Sequence, residues 1–389
     1  MNPKHKGGTV LDLDNWRQLE ISSQFALLQE CLVVSRLQSS VRTYMQPLQS
    51  GYVRDCSDAH LFIHELIAGA REQKRPAWCV TADVWKAFPR TWRDLYLDRL
   101  VHGVGISCGC SALVASVLER DDILVTSGGM SVVSAYEGIP EGGKLGPFGF
   151  CLVPDDLARV LQEKGFGMGL TINIPFVWKE HSWQGTGTPI PELVEKLLTA
   201  LNNSGQLPRP EVLTMHPNLE ASALRALDLR AGKRVPIVLH ADDPFFVASS
   251  WGAMQQMLDF VGQWAHANKV AFHVGNNKTV VLNFTDDSPA ALQARCPLFY
   301  PIIGLDRKLL TVSNEHKWLG LLWNMRLDFR SALKRKIGHG SCLVASLAGM
   351  VSAHTIPLAM GVQLFESKVE GAMRFGRWLF ILSEGGSRC

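Results

Sequence analysis

The sequence lacks several features that would assign it at once to a broad class. Its 389 residues contain no Cys-x-x-Cys pair and no evident internal repeat, and the nine cysteines are scattered, which suits neither a zinc site nor a disulfide framework. The first residues, MNPKHKGGTVLDLDN, contain no apolar signal core. We therefore expect reduced thiols and a protein of the nucleus or cytoplasm that is not secreted.

A strong charge of either sign is also missing. The formal net charge is +3, so the whole molecule produces no large basic field, and a polyanionic partner needs a local basic strip. Arg326, Arg330 and Lys334 repeat every four residues, a spacing that predicts three cations on one helical face, next to Arg335 and Lys336. A solvated helix face is the alternative interpretation of the same pattern.

One long stretch without charged residues runs from Ile337 to Phe365. It contains His354, Pro357 and several serines and glycines, which favour a buried pair of helices over a membrane span. The hydrophobic fraction of 47% is ample for a core.

The coarse pattern predicts a fold that mixes long helices with a small antiparallel sheet. Apolar spacing indicates helices over residues 15–46 and 92–103, and two short strands over residues 122–136. Residues 165–234 are rich in glycine, proline and asparagine, and we interpret them as a peripheral insertion with one helical block. The order strand, helix, glycine loop, helix, acidic hairpin, helix and strand indicates the α+β class.

Four Asp-Asp pairs occur in the chain, and only one has strand-like apolar residues on both sides. Asp242-Asp243, in PIVLHADDPFFVAS, is predicted to lie at the tip of a hairpin, where two fixed carboxylates suit hard divalent cations. The other pairs have simpler explanations. Asp155-Asp156 opens a helix, Asp286-Asp287 lies in a turn, and Asp121-Asp122 is expected in a solvated polar break.

A third carboxylate, Asp83, ends the predicted strand VTADV. Taken alone, it is more often a strand-end or capping residue. Together with the hairpin pair, it could hold two metal ions about 4 Å apart, an arrangement that activates a hydroxyl and stabilises a leaving oxygen in phosphoryl transfer.

At this point the sequence resembles the reverse transcriptases of non-long-terminal-repeat (LINE-type) retrotransposons over nearly its whole length. Seven blocks follow the order of that family. They are DNWRQLEISSQFALLQECLVVSRL of the fingers, LQSGYVRDCSDAHLF of the Gln-x-Gly-Phe block, TADVWKAFPRTWRDLYLDRL of the first palm motif, GIPEGGKLGPFGFCL of the glycine loop, LHADDPFFVAS of the catalytic turn, FHVGNNKTVVLNF of the Asn/Lys-Thr motif and HKWLGLLWN of the primer grip.

The resemblance implies an α+β right-hand polymerase fold with a ferredoxin-like palm, helical fingers and a helical thumb. It places a fingers segment in residues 1–76, the palm with part of the fingers in residues 77–325, an insertion near residues 165–230, and a thumb-like helical region in residues 326–389. The implied activity is RNA-directed DNA polymerisation, with an RNA template, a DNA primer and deoxynucleoside triphosphates as partners and no membrane.

The resemblance also implies a metal centre. Asp83 and Asp242 would ligate two Mg²⁺ ions, with Mn²⁺ as a substitute. Asp243 would assist, and the backbone carbonyl of Val84 would add an oxygen ligand.

Further residues would contact the nucleotide. Phe88 would act as a steric gate under the sugar, Gly142 would pack on the incoming nucleotide, Lys278 would reach the triphosphate or leaving pyrophosphate, and Arg17 would contact triphosphate or template. Without the resemblance, core packing is the better interpretation of Phe88, and an exposed turn lysine is an equal interpretation of Lys278.

Nucleic acid would be bound by two further groups of residues. The primer-grip strand supplies Trp318, Leu319 and Gly320, and the basic strip supplies Arg326, Arg330 and Lys334, which would grip phosphates.

Several positions depart from the family pattern without removing a metal ligand. Glu141 stands in place of glutamine in the glycine loop, His240 in place of an aromatic residue, and Pro244 follows the aspartate pair. These departures motivate an alternative, a catalytically impaired relic that binds nucleic acid without synthesis. A two-metal nuclease or cyclase on a similar palm is a third, weaker hypothesis.

Overall fold

The structure is a computed structural model in which the side chains and backbone of most of the chain are described. The described residues are 4–5, 16–17, 23–51, 56–72, 74–119, 121–126, 129–134, 137–140, 143–169, 176–179, 182–185, 234–275, 278–284, 287–302, 304–324 and 326–370.

Ten α-helices are present in the described residues, and polar N-caps define where several of them begin. Ser23, Ser107, Ser250 and Ser288 each accept a hydrogen bond from the backbone N–H three residues further on, which satisfies an otherwise unpaired donor. The helices are α1 Gln24–Tyr44, α2 Cys56–Glu72, α3 Arg93–Asp98, α4 Cys108–Leu118, α5 Leu145–Phe150, α6 Leu152–Glu163, α7 Trp251–Ala267, α8 Pro289–Arg295, α9 Arg330–Ser352 and α10 Leu358–Leu364.

Strands are short and mostly pair as antiparallel neighbours. The strands are β1 Lys4–His5, β2 Trp16–Arg17, β3 Trp78–Thr81, β4 Asp121–Thr126, β5 Gly129–Ser134, β6 Met168–Gly169, β7 Phe176–Lys179, β8 Ser182–Gly185, β9 Arg234–Val235, β10 Ile237–His240, β11 Asp243–Ala248, β12 Val280–Asn283, β13 Phe299–Tyr300, β14 Lys308–Leu309, β15 Thr311–Ser313, β16 Glu315–Trp318 and β17 Leu321–Asn324.

The central sheet has five strands in the order β10-β11-β3-β12-β15. All neighbours are antiparallel except β12 and β15, which run parallel. Strand β3 is therefore at the centre, with the acidic hairpin on one side and β12 on the other. Because β3 comes early in the chain and its neighbours come much later, distant segments of sequence meet in this sheet.

Side-chain alternation along the central strands builds a core on each face of the sheet. Trp78 and Val80 of β3 join Phe246 of β11 in a cluster with α6 and α7 on one face. Cys79 of β3 and Phe245 of β11 join a second cluster with α2 and the β16–β17 hairpin on the other face. Helices and sheet thus form packed layers, and the α+β class is confirmed.

Several local predictions were wrong in instructive ways. The helix after Arg93 continues as a π-helix through Val104 and ends at Gly105, whose φ of 78° suits glycine, rather than at Gly103. Asp121-Asp122 begins β4 instead of a polar break, and KWLGLLWN belongs to a hairpin of two strands instead of one.

Two further predictions need correction or fall outside the described residues. The segment AFHV, residues 271–274, has an apolar pattern that predicts a strand, but it forms none, since only Phe272 makes an isolated bridge, to Val84. The proposed insertion over residues 165–234 lies outside the described residues except for short strands, and its helical block is among the undescribed positions.

The stretch from Ile337 to Phe365 forms helices, but not a buried pair. Ile337, Val344, Leu358 and Phe365 are all exposed, because few other elements pack on α9 and α10 in the described residues. Within the described part of the chain, no helix has the length and apolarity needed to cross a membrane.

Candidate active site

The acidic turn lies at the tip of the β10–β11 hairpin, as predicted. His240 pairs with Asp243 at the end of the ladder, so Ala241 and Asp242 form the connecting loop. Ala241 has a φ of 53°, a left-handed conformation that costs energy for a residue with a Cβ. A loop this short fixes the direction of the Asp242 and Asp243 side chains.

Asp83 lies beside this turn because β11 and β3 are paired neighbours. The N–H of Ala82 donates to the carbonyl of Pro244 at 3.0 Å, and the N–H of Val84 donates to the carbonyl of Asp242 at 3.3 Å. Proline has no N–H to return to Ala82, so only one hydrogen bond joins these two residues, and the bond from Val84 continues the pairing past Asp83. Pro244, a departure from the family pattern, is thereby accommodated at the end of the strand pair.

The three carboxylates influence one another electrostatically. Burial, followed by the negative charges of Asp242 and Asp83, raises the pKa of Asp243 to about 7, while Lys278 acts in the opposite direction. Three acids held this close favour a cation among them, and oxygen donors are the ligands that hard divalent ions prefer.

In the described residues, the cation beside the cluster is a lysine. The ammonium Nζ of Lys278 lies 3.1 Å from Oδ2 of Asp83, and no three acidic, histidine or cysteine side chains converge on one point as a ready metal cage. The donor chemistry suits a divalent ion, provided that Lys278 leaves Asp83 when the ion binds.

Phe88 lies next to the site in a small apolar cluster. Its ring centroid is 5.4 Å from that of Phe150, and the two rings pack with Val84, whose side chain is buried. Phe88 itself is only partly buried. Its role as a steric gate, and the ligand role of the Val84 carbonyl, stay predictions.

The glycine loop is only partly described. Gly142 and Glu141 lie outside the described residues, but the residues after them are held by Glu30 of α1. The Glu30 carboxylate is buried and accepts from the backbone N–H groups of Lys144 at 2.6 Å and Leu145 at 3.1 Å. Sequence reasoning missed Glu30, because its partners are more than 100 residues away.

The primer-grip block forms the β16–β17 hairpin, with Leu319 and Gly320 at its tip in left-handed conformations, φ 45° and 80°. The side chain of Trp318 is 2% exposed and packs edge-on against Phe245, so it supports the hairpin from the core. His60 receives a hydrogen bond from Trp323 and contacts the Leu319 carbonyl at 3.2 Å, which ties the tip to α2.

The basic strip differs from the predicted single helical face. Asn324 accepts hydrogen bonds from the N–H groups of Arg326 and Asp328, forming a turn, so α9 begins only at Arg330. Arg326 therefore lies outside the helix, while Arg330 and Lys334 are exposed along it.

Basic residues other than the predicted ones line a cleft beside the β16–β17 hairpin. An open cleft of about 380 Å³ separates β16–β17 from α9. Its basic lining residues are Lys317, Arg335, Lys336 and His339. Arg17, in contrast, lies in the two-residue strand β2, and its side chain is outside the described residues.

The chain is similar to a curated retrotransposon protein. It is 27% identical over 241 residues to the retrovirus-related Pol polyprotein from type-1 retrotransposable element R2 of Popillia japonica. The match covers 61% of this chain and 31% of the relative, so the chain spans about a third of the length of that protein. The resemblance to non-long-terminal-repeat retrotransposons inferred from the motifs is confirmed by this similarity. No family model matches the chain.

Solved structures similar to the chain include two fungal telomerases. Apo telomerase of Candida tropicalis, truncated from its C-terminal domain, gives a TM-score of 0.40 at 11% identity, covering 78% of this chain and 48% of that one. Telomerase of Candida albicans in complex with a TWJ fragment of telomeric RNA gives 0.36 at 10% identity, covering 92% and 53%.

Proposed function

We propose that this chain is the reverse transcriptase region of a non-long-terminal-repeat retroelement, an RNA-directed DNA polymerase with a right-hand fold. The 3′-hydroxyl oxygen of a DNA primer bonds to the α-phosphorus of a deoxynucleoside triphosphate paired with an RNA template. The bond from that phosphorus to the bridging oxygen breaks, and pyrophosphate and the hydroxyl proton are released. The observation that carries the proposal is the meeting of Asp83 with Asp242-Asp243 at one end of adjacent strands. The similarity to the R2 Pol polyprotein supports it.

In this proposal each residue near the turn has a defined task. Asp83 and Asp242 hold two Mg²⁺ ions, for which Mn²⁺ can substitute, and Asp243 with the Val84 carbonyl completes the set. The bound ions supply positive charge to the reacting oxygens. Phe88 lies under the sugar and excludes a 2′-hydroxyl. Lys278, once released from Asp83, neutralises charge on the triphosphate.

The remaining regions are assigned by position. Residues 1–76 form a fingers segment, residues 77–325 the palm with part of the fingers, and residues 326–389 a thumb. Gly320 of the hairpin and the basic side chains of Arg335 and Lys336 on α9 line the same cleft, which supports binding of a template-primer duplex there.

Primer extension tests the proposal. The protein is expected to extend a DNA primer on an RNA template with Mg²⁺ and deoxynucleotides, and Asp83→Asn is expected to abolish extension. Asp259→Asn is a matched control, since Asp83 and Asp259 side chains are each 30% exposed and each paired with a cation. Extension retained in Asp83→Asn, or absent from folded wild-type protein under varied metal and template, would contradict the proposal.

A second candidate function is binding of nucleic acid without synthesis. The ion pair between Lys278 and Asp83 favours it, because it engages the carboxylate of a proposed metal ligand. Such a relic would bind template-primer with an affinity that falls steeply with salt, with a slope set by the number of phosphates neutralised. Measurable nucleotide incorporation would exclude this function.

A further inference from the structure

The acidic turn is held from outside the hairpin by a short segment, Leu48–Gly51, which runs along the free edge of β10. The N–H of Leu239 donates to the Leu48 carbonyl at 2.8 Å, and the N–H of Ser50 donates to the Leu239 carbonyl at 2.8 Å. These bonds extend the central sheet by one bridge, between Gln49 and Leu239, which runs parallel. The segment therefore follows the strand that leads into Asp242.

Within this segment, the side chain of Gln49 reaches the turn itself. Gln49 is fully buried, and its Oε1 accepts from the N–H of Ala241 at 3.1 Å and from the N–H of Gly51 at 2.9 Å. Its Nε2 donates to the carbonyl of Cys151 at 3.4 Å. One amide thus joins three segments, including the start of α6, which follows the glycine loop in sequence.

The hydrogen bond from the Ala241 N–H to Gln49 stabilises a residue with an unfavourable backbone conformation. Ala241 is in the left-handed region and directly precedes Asp242, so its N–H orientation fixes the direction of the acidic turn. The backbone of Gly51 also lies close to the backbone of Ala241. A Cβ at Gly51 would lie 2.3 Å from the Ala241 nitrogen, so only glycine allows this approach.

We infer that Gln49 is a positioning residue for the metal centre, which holds the Ala241–Asp242 turn through its side-chain amide. The inference rests on the proposed function for its link to metal binding. Its link to the turn rests on the hydrogen bonds alone. A substitution that removes the amide would leave the N–H groups of Ala241 and Gly51 unpaired in a dry environment.

The test compares Gln49→Met with Gln255→Met in the full chain. Gln255 is a matched control away from the acidic turn. Its side-chain amide donates to the backbone carbonyl of Phe299 and accepts from the backbone N–H of the same residue. Amide hydrogen exchange measures protection of the Ala241 N–H, and electron paramagnetic resonance measures Mn²⁺ affinity. Gln49→Met is expected to lose protection at Ala241 and to bind Mn²⁺ about 10- to 100-fold more weakly. Gln255→Met is expected to change neither.

Unchanged protection at Ala241 in Gln49→Met, or Mn²⁺ affinity equal to that of Gln255→Met, would overturn the inference. If Gln49→Met does not fold, Gln49→Glu replaces it, because a carboxylate keeps the acceptor oxygen and is expected to keep Ala241 protected. Loss of protection in that variant would also overturn the inference. A wild-type protein in which the Ala241 N–H is protected but which binds no Mn²⁺ would contradict the proposed function and the link between Gln49 and metal binding. Hydrogen exchange at Ala241 would then decide by itself whether Gln49 holds the turn.

Discussion

The ammonium of Lys278 lies 3.1 Å from the carboxylate of Asp83, at the position where a polymerase of this kind would need a divalent cation. The side chain of Lys278 is 55% exposed, so it can swing into solvent or toward a ligand without disturbing the core. If Asp83 ligates a metal ion as proposed, lysine and metal ion would compete for the same carboxylate, and nucleotide binding would favour the exchange by offering the lysine another anion.

This competition predicts the behaviour of Lys278→Met. The variant is expected to bind Mn²⁺ more tightly than wild type in the absence of nucleotide, by up to about fivefold, because exposed ion pairs are worth about 0.2–1 kcal/mol. Lys308→Met, at an exposed lysine on β14, is the control for a simple loss of positive charge. Equal or weaker Mn²⁺ binding by Lys278→Met in calorimetry would show that the lysine does not occupy the metal position.

A pair of glycines predicts opposite effects of the same substitution. At Gly143 an added Cβ would lie 2.1 Å from Oε2 of Glu30, the carboxylate that caps α5, so Gly143→Ala is expected to lower the free energy of unfolding by about 1–3 kcal/mol. At Gly109, inside α4, nothing lies within 4 Å, so Gly109→Ala is expected to raise it by up to about 1 kcal/mol. Urea unfolding measures both, and a Gly143→Ala protein as stable as wild type would contradict the capping role of Glu30.

Asp155 makes stability depend on pH. Burial raises the pKa of Asp155 to about 6, against the opposing effects of a hydrogen bond from the Gln46 N–H and of Arg159. The folded protein then holds a proton that the unfolded chain releases near pH 4. This contribution to stability is full below about pH 4 and is lost as the pH rises through 6.

Asp155→Asn removes this titration. Between pH 4 and pH 7, wild type is expected to lose about 2–3 kcal/mol of unfolding free energy relative to the variant, at about 1.4 kcal/mol for each unit of pKa shift. Parallel pH profiles for the two proteins in denaturant titrations would show that Asp155 is not responsible.

The acidic hairpin and the strand that ends at Asp83 could each be predicted from the sequence, because the signals for the separate strands are local. Alternating apolar residues on both sides of Asp242 specify two strands, and the apolar run before Asp83 specifies a third. Pairing of these strands then follows from burial of both faces of the sheet. The assignment of these residues to one polymerase site, however, came from the family resemblance and not from hydrophobic periodicity.

The supporting residues could not be predicted in the same way. Gln49 and Ala241 are 192 positions apart, and no local pattern marks a glutamine as the partner of a distant turn. The error at Arg326 has a different cause. The spacing of cations is helical, but the side chain of Asn324 competes for the backbone N–H groups and delays the helix to Arg330.

Single-nucleotide incorporation on an RNA template tests the central claim most directly. A DNA primer annealed to RNA is mixed with one deoxynucleotide, Mg²⁺ and either wild type, Asp242→Asn or the control Asp259→Asn. If the acidic cluster is a polymerase metal centre, wild type and Asp259→Asn add one nucleotide and Asp242→Asn adds none, although all three bind the template-primer. Incorporation by Asp242→Asn at the wild-type rate would contradict the claim, as would its absence from all three folded proteins.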